Sequence, residues 1–260
     1  MDLELNGKTA LVTGGSAGIG KAIAGVLAAE GCDVAIAARN EERLRTAAAE
    51  IATASGRRIV PIVADTGDTA SVEAMVAAAA AALGRIDILV NNAARVGGGS
   101  GTPGIAGVAD ADFNEDMNVK VLGYVRCARA VAPLMIAQGW GRIINISGLA
   151  ARQTGNPVGS MRNVAVAALT KNLADELGPH GINVTLVHPG LTWTERMATI
   201  MGGGDEESAR ARMSQQNTVR RVIDAMDIAN IVAFLASPKS VAITGDSIAA
   251  GGGVGRAIHY

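Results

Sequence analysis

Short runs rich in Val and Ile recur along the chain, separated by longer alanine-rich stretches, and this alternation narrows the accessible folds more than any other feature. "TALVTGG", "DVAIAAR", "RIVPIVAD", "RIDILVNNA", "GRIINIS" and "INVTLVHPG" have strand length, and "SIAAGG" near the end suits a further strand. Between them, helix-like stretches cover residues 19–30, 40–55, 69–83, 112–138 and 158–177, and "DAMDIANIVAFLAS" adds another amphipathic helix. Strand and helix in alternation require crossover connections, so the expected fold class is α/β: a doubly wound parallel sheet of about seven strands covered on both faces.

With 260 residues, 49% of them apolar, the chain can bury one large core, and no break in composition divides it, so residues 1–260 are expected to form one domain. A net charge of −1, only two each of Trp, Tyr and Phe, and no Lys/Arg cluster leave nothing to grip phosphates or stack bases. Nucleic acid is therefore not an expected partner. The start "MDLELNGKTALVTGG" lacks a basic n-region, and its apolar run is too short for a membrane span, which predicts a cytosolic protein with no membrane partner. Cys32 and Cys127 stand alone, without a CxxC pair, and are expected to be buried and reduced. His180, His188 and His259 are scattered, so no metal site is expected.

Residues 95–108 and 197–218 fit no regular element. They follow the fourth and sixth strands, and loops beyond the carboxyl ends of strands line the ligand crevice of an open α/β sheet. The first is expected to be a substrate loop and the second a lid-like segment, with plain surface linkers as the alternative.

"TALVTGGSAGIGKAIAGVLA" places Gly14, Gly18 and Gly20 at the first strand-to-helix turn. Glycines there let the backbone approach a pyrophosphate, and the following helix aims unpaired N–H groups and its positive dipole end at the anion. A dinucleotide is the implied ligand. At the end of the second strand "VAIAARN" has Ala38 where a carboxylate would bind both ribose hydroxyls, and Arg39 beside it. A guanidinium binds a 2′-phosphate through paired, charge-assisted bonds, so NADP(H) is favoured over NAD(H); a solvated or adenine-stacked Arg39 is the alternative.

"TGGSAGIG", "NNAA", Asn118 in "MNVKVLG", "GRIINIS", "HPGLTWT" and "ITG", in this order, resemble the short-chain dehydrogenase/reductase family over nearly the whole chain. The resemblance implies a single-domain Rossmann-type fold, a nicotinamide cofactor and a homotetramer or homodimer. It assigns the cofactor to Gly14, Ser16, Gly18, Ile19 and Gly20, with Asp65 at the adenine edge and Asn91 and Ala93 on the adenosine side. Thr192 and Thr194 would hold the nicotinamide carboxamide and the diphosphate, and Thr194 also suits a helix N-cap before Glu195.

In that family a Tyr-x-x-x-Lys motif, a Ser and an Asn handle the proton: Tyr exchanges it, Lys tunes Tyr and grips the ribose, Ser orients the carbonyl, and Asn holds a relay water. Anchored on "AVAALTK", the motif falls on Gly159 and Asn163, and the Ser falls on Gly148 beside Ser147. Neither Tyr124 nor Tyr260 is followed four residues later by Lys. Asn118 is read as the motif Asn, with a water, Ser147, Ser160 or Arg162 as substitutes that could supply a proton or hold an oxyanion, although Arg162 also suits a helix surface. Asn163 would keep the ribose bond of the missing Lys. Tyr260 or His259, on a glycine-rich tail, could also act in a neighbouring subunit. The resemblance thus implies an oxidoreductase for a small carbonyl or alcohol with an atypical proton route, or else a catalytically silent dinucleotide-binding protein.

Overall fold

The computed structural model describes residues 1–94, 104–201 and 205–255. In chain order the elements are β1 (Thr9–Thr13), α1 (Gly18–Ala29), β2 (Asp33–Ala38), α2 (Glu41–Ser55), β3 (Ile59–Val63), α3 (Thr69–Leu83) and β4 (Ile88–Asn91). Then come α4 (Asp110–Asp116), α5 (Gly123–Gln138), β5 (Gly141–Ile146), α6 (Pro157–Leu177) and β6 (Ile182–Pro189). The chain closes with β7 (Thr192–Trp193), α7 (Glu195–Met201), α8 (Glu206–Ser214), β8 (Ile223–Asp224), α9 (Ala225–Ala236) and β9 (Ser247–Ala250).

Seven strands form one sheet in the order β3-β2-β1-β4-β5-β6-β9, every neighbouring pair parallel. β7 and β8 make a separate small pair. The central strands are apolar runs because helices cover both faces. Ala10 and Val12 of β1 and Ile144 of β5 pack with α1, α2 and α9, while Leu11 and Ile143 pack with α3, α5 and α6. Alternate residues therefore feed opposite layers, as the two-residue period of a strand requires. On this count Asn145 and Ser147, at odd positions like Ile143, face α6.

Most helix limits follow local chemistry. Asn40, Asp68 and Asn156 cap α2, α3 and α6 through their side chains, and left-handed Gly56, Gly84 and Gly139 end α2, α3 and α5. Two features differ from the sequence expectation. The stretch 197–218 holds most of α7 and all of α8, whose charged sequence "EESARARMS" has no apolar stripe and is started by the Asp205 cap. The long helix expected over 112–138 is not uniform, because residues Met117–Leu122 between α4 and α5 are π-helical. Residues 95–103 of the expected substrate loop and 256–260 of the tail lie outside the described residues. Among those described, no helix is long and apolar enough to cross a membrane.

Candidate cofactor and active site

The sheet order reverses direction between β1 and β4, and the crevice above their carboxyl ends is where α/β sheets take ligands. Gly14 turns the chain there with φ 69°. The Gly14 and Gly15 amides donate to Ala37 O at 2.7 and 3.2 Å, which ties the turn to β2. From the other side Asn92 Nδ2 donates to Thr13 O and Gly14 O at 3.0 and 3.3 Å, and the Asn92 and Ala93 amides donate to Thr13 Oγ1. A Cβ on Gly20 would lie 2.2 Å from Gly14 O, so only glycine lets α1 pack this close under the turn. Ser16 is half-buried on the turn, and Ile19 packs into the core layer of α1.

α1 starts without a side-chain cap, since Ala17 makes no capping bond, and its first-turn N–H groups are left for an anion. One carboxylate already uses them: Gly18 N donates to Glu195 Oε2 at 3.1 Å. A carboxylate held at this helix end is a stand-in for a diphosphate oxygen, and the residues present fit a dinucleotide. Thr194 lies beside Gly18, its methyl 3.5 Å from where a Gly18 Cβ would be, while its Oγ1 accepts from Met197 N at 3.3 Å and so caps α7. Border and cap coexist in one residue. Thr192 is buried and donates to Gly190 O at 3.1 Å.

Ala38 ends β2, and the exposed Arg39 beyond it has no ion pair or hydrogen bond among the described residues. The Asp65 carboxylate accepts from Gly67 N at 2.8 Å and closes the turn after β3. Asn91 departs from its expected place on the adenosine side. It is fully buried and donates to Asn145 Oδ1 at 2.9 Å, whose own Nδ2 donates to Thr170 Oγ1 at 2.9 Å. Its side chain ties β4 to β5 and α6 instead of lining the crevice.

At the chemical end, Ser147, Asn163 and Lys120 meet. Ser147 Oγ donates to Asn163 O and Oδ1, both at 3.1 Å, and Lys120 Nζ donates to Asn163 Oδ1 at 2.9 Å and Ser147 O at 3.1 Å. Asn118, expected in this cluster, is not there: its Nδ2 donates to Gly67 O at 3.1 Å, and its Oδ1 accepts from Arg126 at 2.7 Å. The π-helical turn changes the facing of side chains by one residue per turn, and it is Lys120 that points under α6. Arg162, expected near a carbonyl, is paired with buried Asp116 at 2.6 Å. Tyr124 is buried and donates to Ile146 O at 2.8 Å, and burial holds its phenol far above the usual range. Sequence reasoning passed over Lys120, although a lone lysine among apolar neighbours in "NVKVLG" was its signal.

Burial lowers the Lys120 pKa to about 7, helped by the Arg162 charge and opposed by Asp116. His188, on β6 beside the cluster, is lowered to about 4 by burial and by Arg152, against a raising bond with the Gly148 backbone. It is neutral at physiological pH. Cys32 and Cys127 are both buried and free, their thiols pushed up to about 12 by burial. Among the described residues no three His, Cys, Asp or Glu converge on a metal site.

The fold and turn define a single-domain α/β protein of Rossmann type. A family model described as enoyl-(acyl carrier protein) reductase matches residues 14–255, and the chain belongs to the short-chain dehydrogenase/reductase family. The short-chain reductase protein NovJ of Streptomyces niveus is 37% identical over 247 residues, covering 94% of this chain and 92% of its own. The L-sorbose reductase of Gluconobacter frateurii, solved with NADPH and L-sorbose, superposes with TM-score 0.92 at 29% identity, covering 99% of this chain and 100% of its own. A Burkholderia cenocepacia short-chain dehydrogenase, solved with NADP, gives 0.82 at 36% identity over 96% and 98%.

Two outcomes follow from the charges. Glu195→Gln removes the carboxylate's charge from the α1 terminus and is expected to tighten NADPH binding about three- to tenfold by titration calorimetry, the size of a terminal charge effect; unchanged or weaker binding contradicts the stand-in. His188 has a folded pKa below its unfolded value, so the unfolded chain binds more protons between about pH 6.5 and about 4 and stability is lost as pH falls through that window. Thermal melts of His188→Gln are expected to show a shallower acid loss than wild type.

Proposed function

We propose that the protein is an NADP(H)-dependent oxidoreductase that interconverts a small carbonyl compound and its alcohol by a proton route that does not use a tyrosine on α6. The observation that carries this reading is the uncapped start of α1, backed by Gly14 and Gly20 and already holding an anion, with Arg39 just beyond β2 and without an ion pair among the described residues. Gly14, Ser16, Gly18, Ile19 and Gly20 would cradle the diphosphate, Arg39 the 2′-phosphate, and Asp65 and Ala93 the adenosine half. Thr192, Thr194 and Asn163 would hold the nicotinamide end. When bound, the nicotinamide supplies or accepts the hydride.

The chain's own part is to orient the carbonyl and stabilise charge on its oxygen. Ser147 stays at the site with its hydroxyl hydrogen committed to Asn163. Asn118 is bonded to Arg126 and Gly67 and Arg162 to Asp116, and a role at the substrate would be added to those bonds. A positioned general acid contributes about 10²- to 10⁴-fold, and orientation of reactants can contribute more, so turnover without the tyrosine is compatible with hydride transfer. Residues 104–108 and 197–218 would border the substrate. Exposed Leu134, Ile136, Met161 and Val164 on α5 and α6 support a homotetramer or homodimer through those helices, in the cytosol.

A catalytically silent dinucleotide-binding protein is the second reading, favoured by the glycines at 148 and 159, which leave no side chain there to exchange a proton. NADPH oxidation against a panel of small ketones and aldehydes separates the two: turnover supports the first, and tight binding without turnover supports the second. Arg39→Glu is expected to lower the preference for NADPH over NADH about 10- to 100-fold in binding, the worth of charged hydrogen bonds to a phosphate; an unchanged preference contradicts the role of Arg39.

A further inference from the structure

Lys120 is 4% exposed and Asn163 3%, and no carboxylate lies within ion-pair distance of the Lys120 ammonium among the described residues. A buried cation without a paired carboxylate is costly; Asp116 offsets that cost only through space, and Arg162 adds to it. The two bonds that Asn163 Oδ1 accepts, from Lys120 Nζ and Ser147 Oγ, decide which way its amide faces, because an oxygen and not an NH₂ must meet those donors. Nδ2 therefore points the other way, to 3.1 Å from where a Cβ on Gly148 would stand, and it makes no hydrogen bond among the described residues. Gly148 sets no side chain beside this donor. The lysine sits in the π-helical turn, an irregularity that helices carry mostly where it serves a site.

We propose that Lys120 is the cation of the nicotinamide end of this site, a positioning residue that acts through Asn163, whose Nδ2 it turns to the Gly148 side as the donor for a carbonyl oxygen. The assignment rests on the oxidoreductase reading above and names the group that reading lacks. The resemblance places a lysine on α6 and an asparagine on the helix before it; this chain keeps that asparagine as Asn118, has Asn163 in place of the lysine, and brings Lys120, two residues beyond Asn118, against Asn163. In reduction, the nicotinamide when bound would give up a hydride from its own C–H bond and be oxidised; that electron pair forms the new C–H bond at the carbonyl carbon, and the C=O π pair moves to oxygen. Nδ2, polarised by the ammonium behind it, binds that oxygen as it gains charge, and water then supplies its proton.

The charged groups that face Lys120 are Arg162 of α6, Asp116 of α4 and, on β6, His188, which Arg152 also reaches. Burial and Arg162 hold the Lys120 pKa at about 7 against Asp116, so the lysine is expected to lose its charge between pH 6 and 8.5. The nicotinamide ring is positive in NADP⁺ and neutral in NADPH, and the two nucleotides share every other ionisation, including the 2′-phosphate. The ratio of their dissociation constants, NADP⁺ over NADPH, thus reads the charge beside the ring and needs no turnover. In wild type the ratio is expected to fall about tenfold from pH 6 to 8.5, the scale of two charges separated by several ångströms of protein. In Lys120→Met and Lys120→Gln it is expected to stay flat, and both variants relieve a buried charge, so both should fold, as melting curves would show. Carbonyl reduction by either variant is expected to lose about 100-fold in kcat with the KM for NADPH nearly unchanged. A ratio flat in wild type, or one that falls equally in the variants, overturns the role of Lys120 and leaves the oxidoreductase reading standing. Failure of both nucleotides to bind overturns that reading and this assignment with it.

Discussion

All seven strands of the main sheet run the same way, and everything at the site descends from that constraint. Parallel strands must be joined by crossovers, crossovers bury both faces, and buried faces demand the Val, Ile and Ala that the strands contain. The carboxyl ends then collect along one edge. Where the order turns from β1 to β4, the α1 terminus opens at that edge without a side-chain cap, with Thr194 and Glu195 beside it. The Asn92 and Thr13 bonds keep that opening rigid, so its N–H groups are aimed before any ligand arrives.

The chemical end is built on different terms. Gly148 and Gly159 take away side chains, and the polar contacts retreat below the surface into Ser147, Asn163 and Lys120. A phenol coupled to a lysine could donate a proton directly; a buried ammonium behind an amide orients and polarises instead. The nearby Arg162–Asp116 pair is buried on its Asp116 side, and breaking such a pair typically costs about 3–5 kcal/mol, so it steadies α4 against α6 under the cluster.

The sheet and most helices were legible in the sequence because periodicity and caps are local. α3 runs over the stretch its pattern marks, between the Asp68 cap and Gly84. α8 was not legible, since a charged helix without an apolar stripe carries no period to read. The facing of side chains was harder still. Asn91 and Asn145 are register partners across β4 and β5, and only that pairing turns Asn91 inward. Asn118 and Lys120 differ by two residues in a turn that is π and not α, a choice the sequence does not announce. The glycine turn was readable because its residues are adjacent in the chain, whereas the Lys120 cluster joins residues 27 and 43 positions apart.

The central claim is that the start of α1, in the setting of Gly14, Gly20 and Arg39, binds a phosphorylated dinucleotide. Titration calorimetry of the wild-type protein with NADPH tests it most directly. The account predicts one saturable site per chain and weaker binding of NADH; no heat with either nucleotide at millimolar concentration would contradict it.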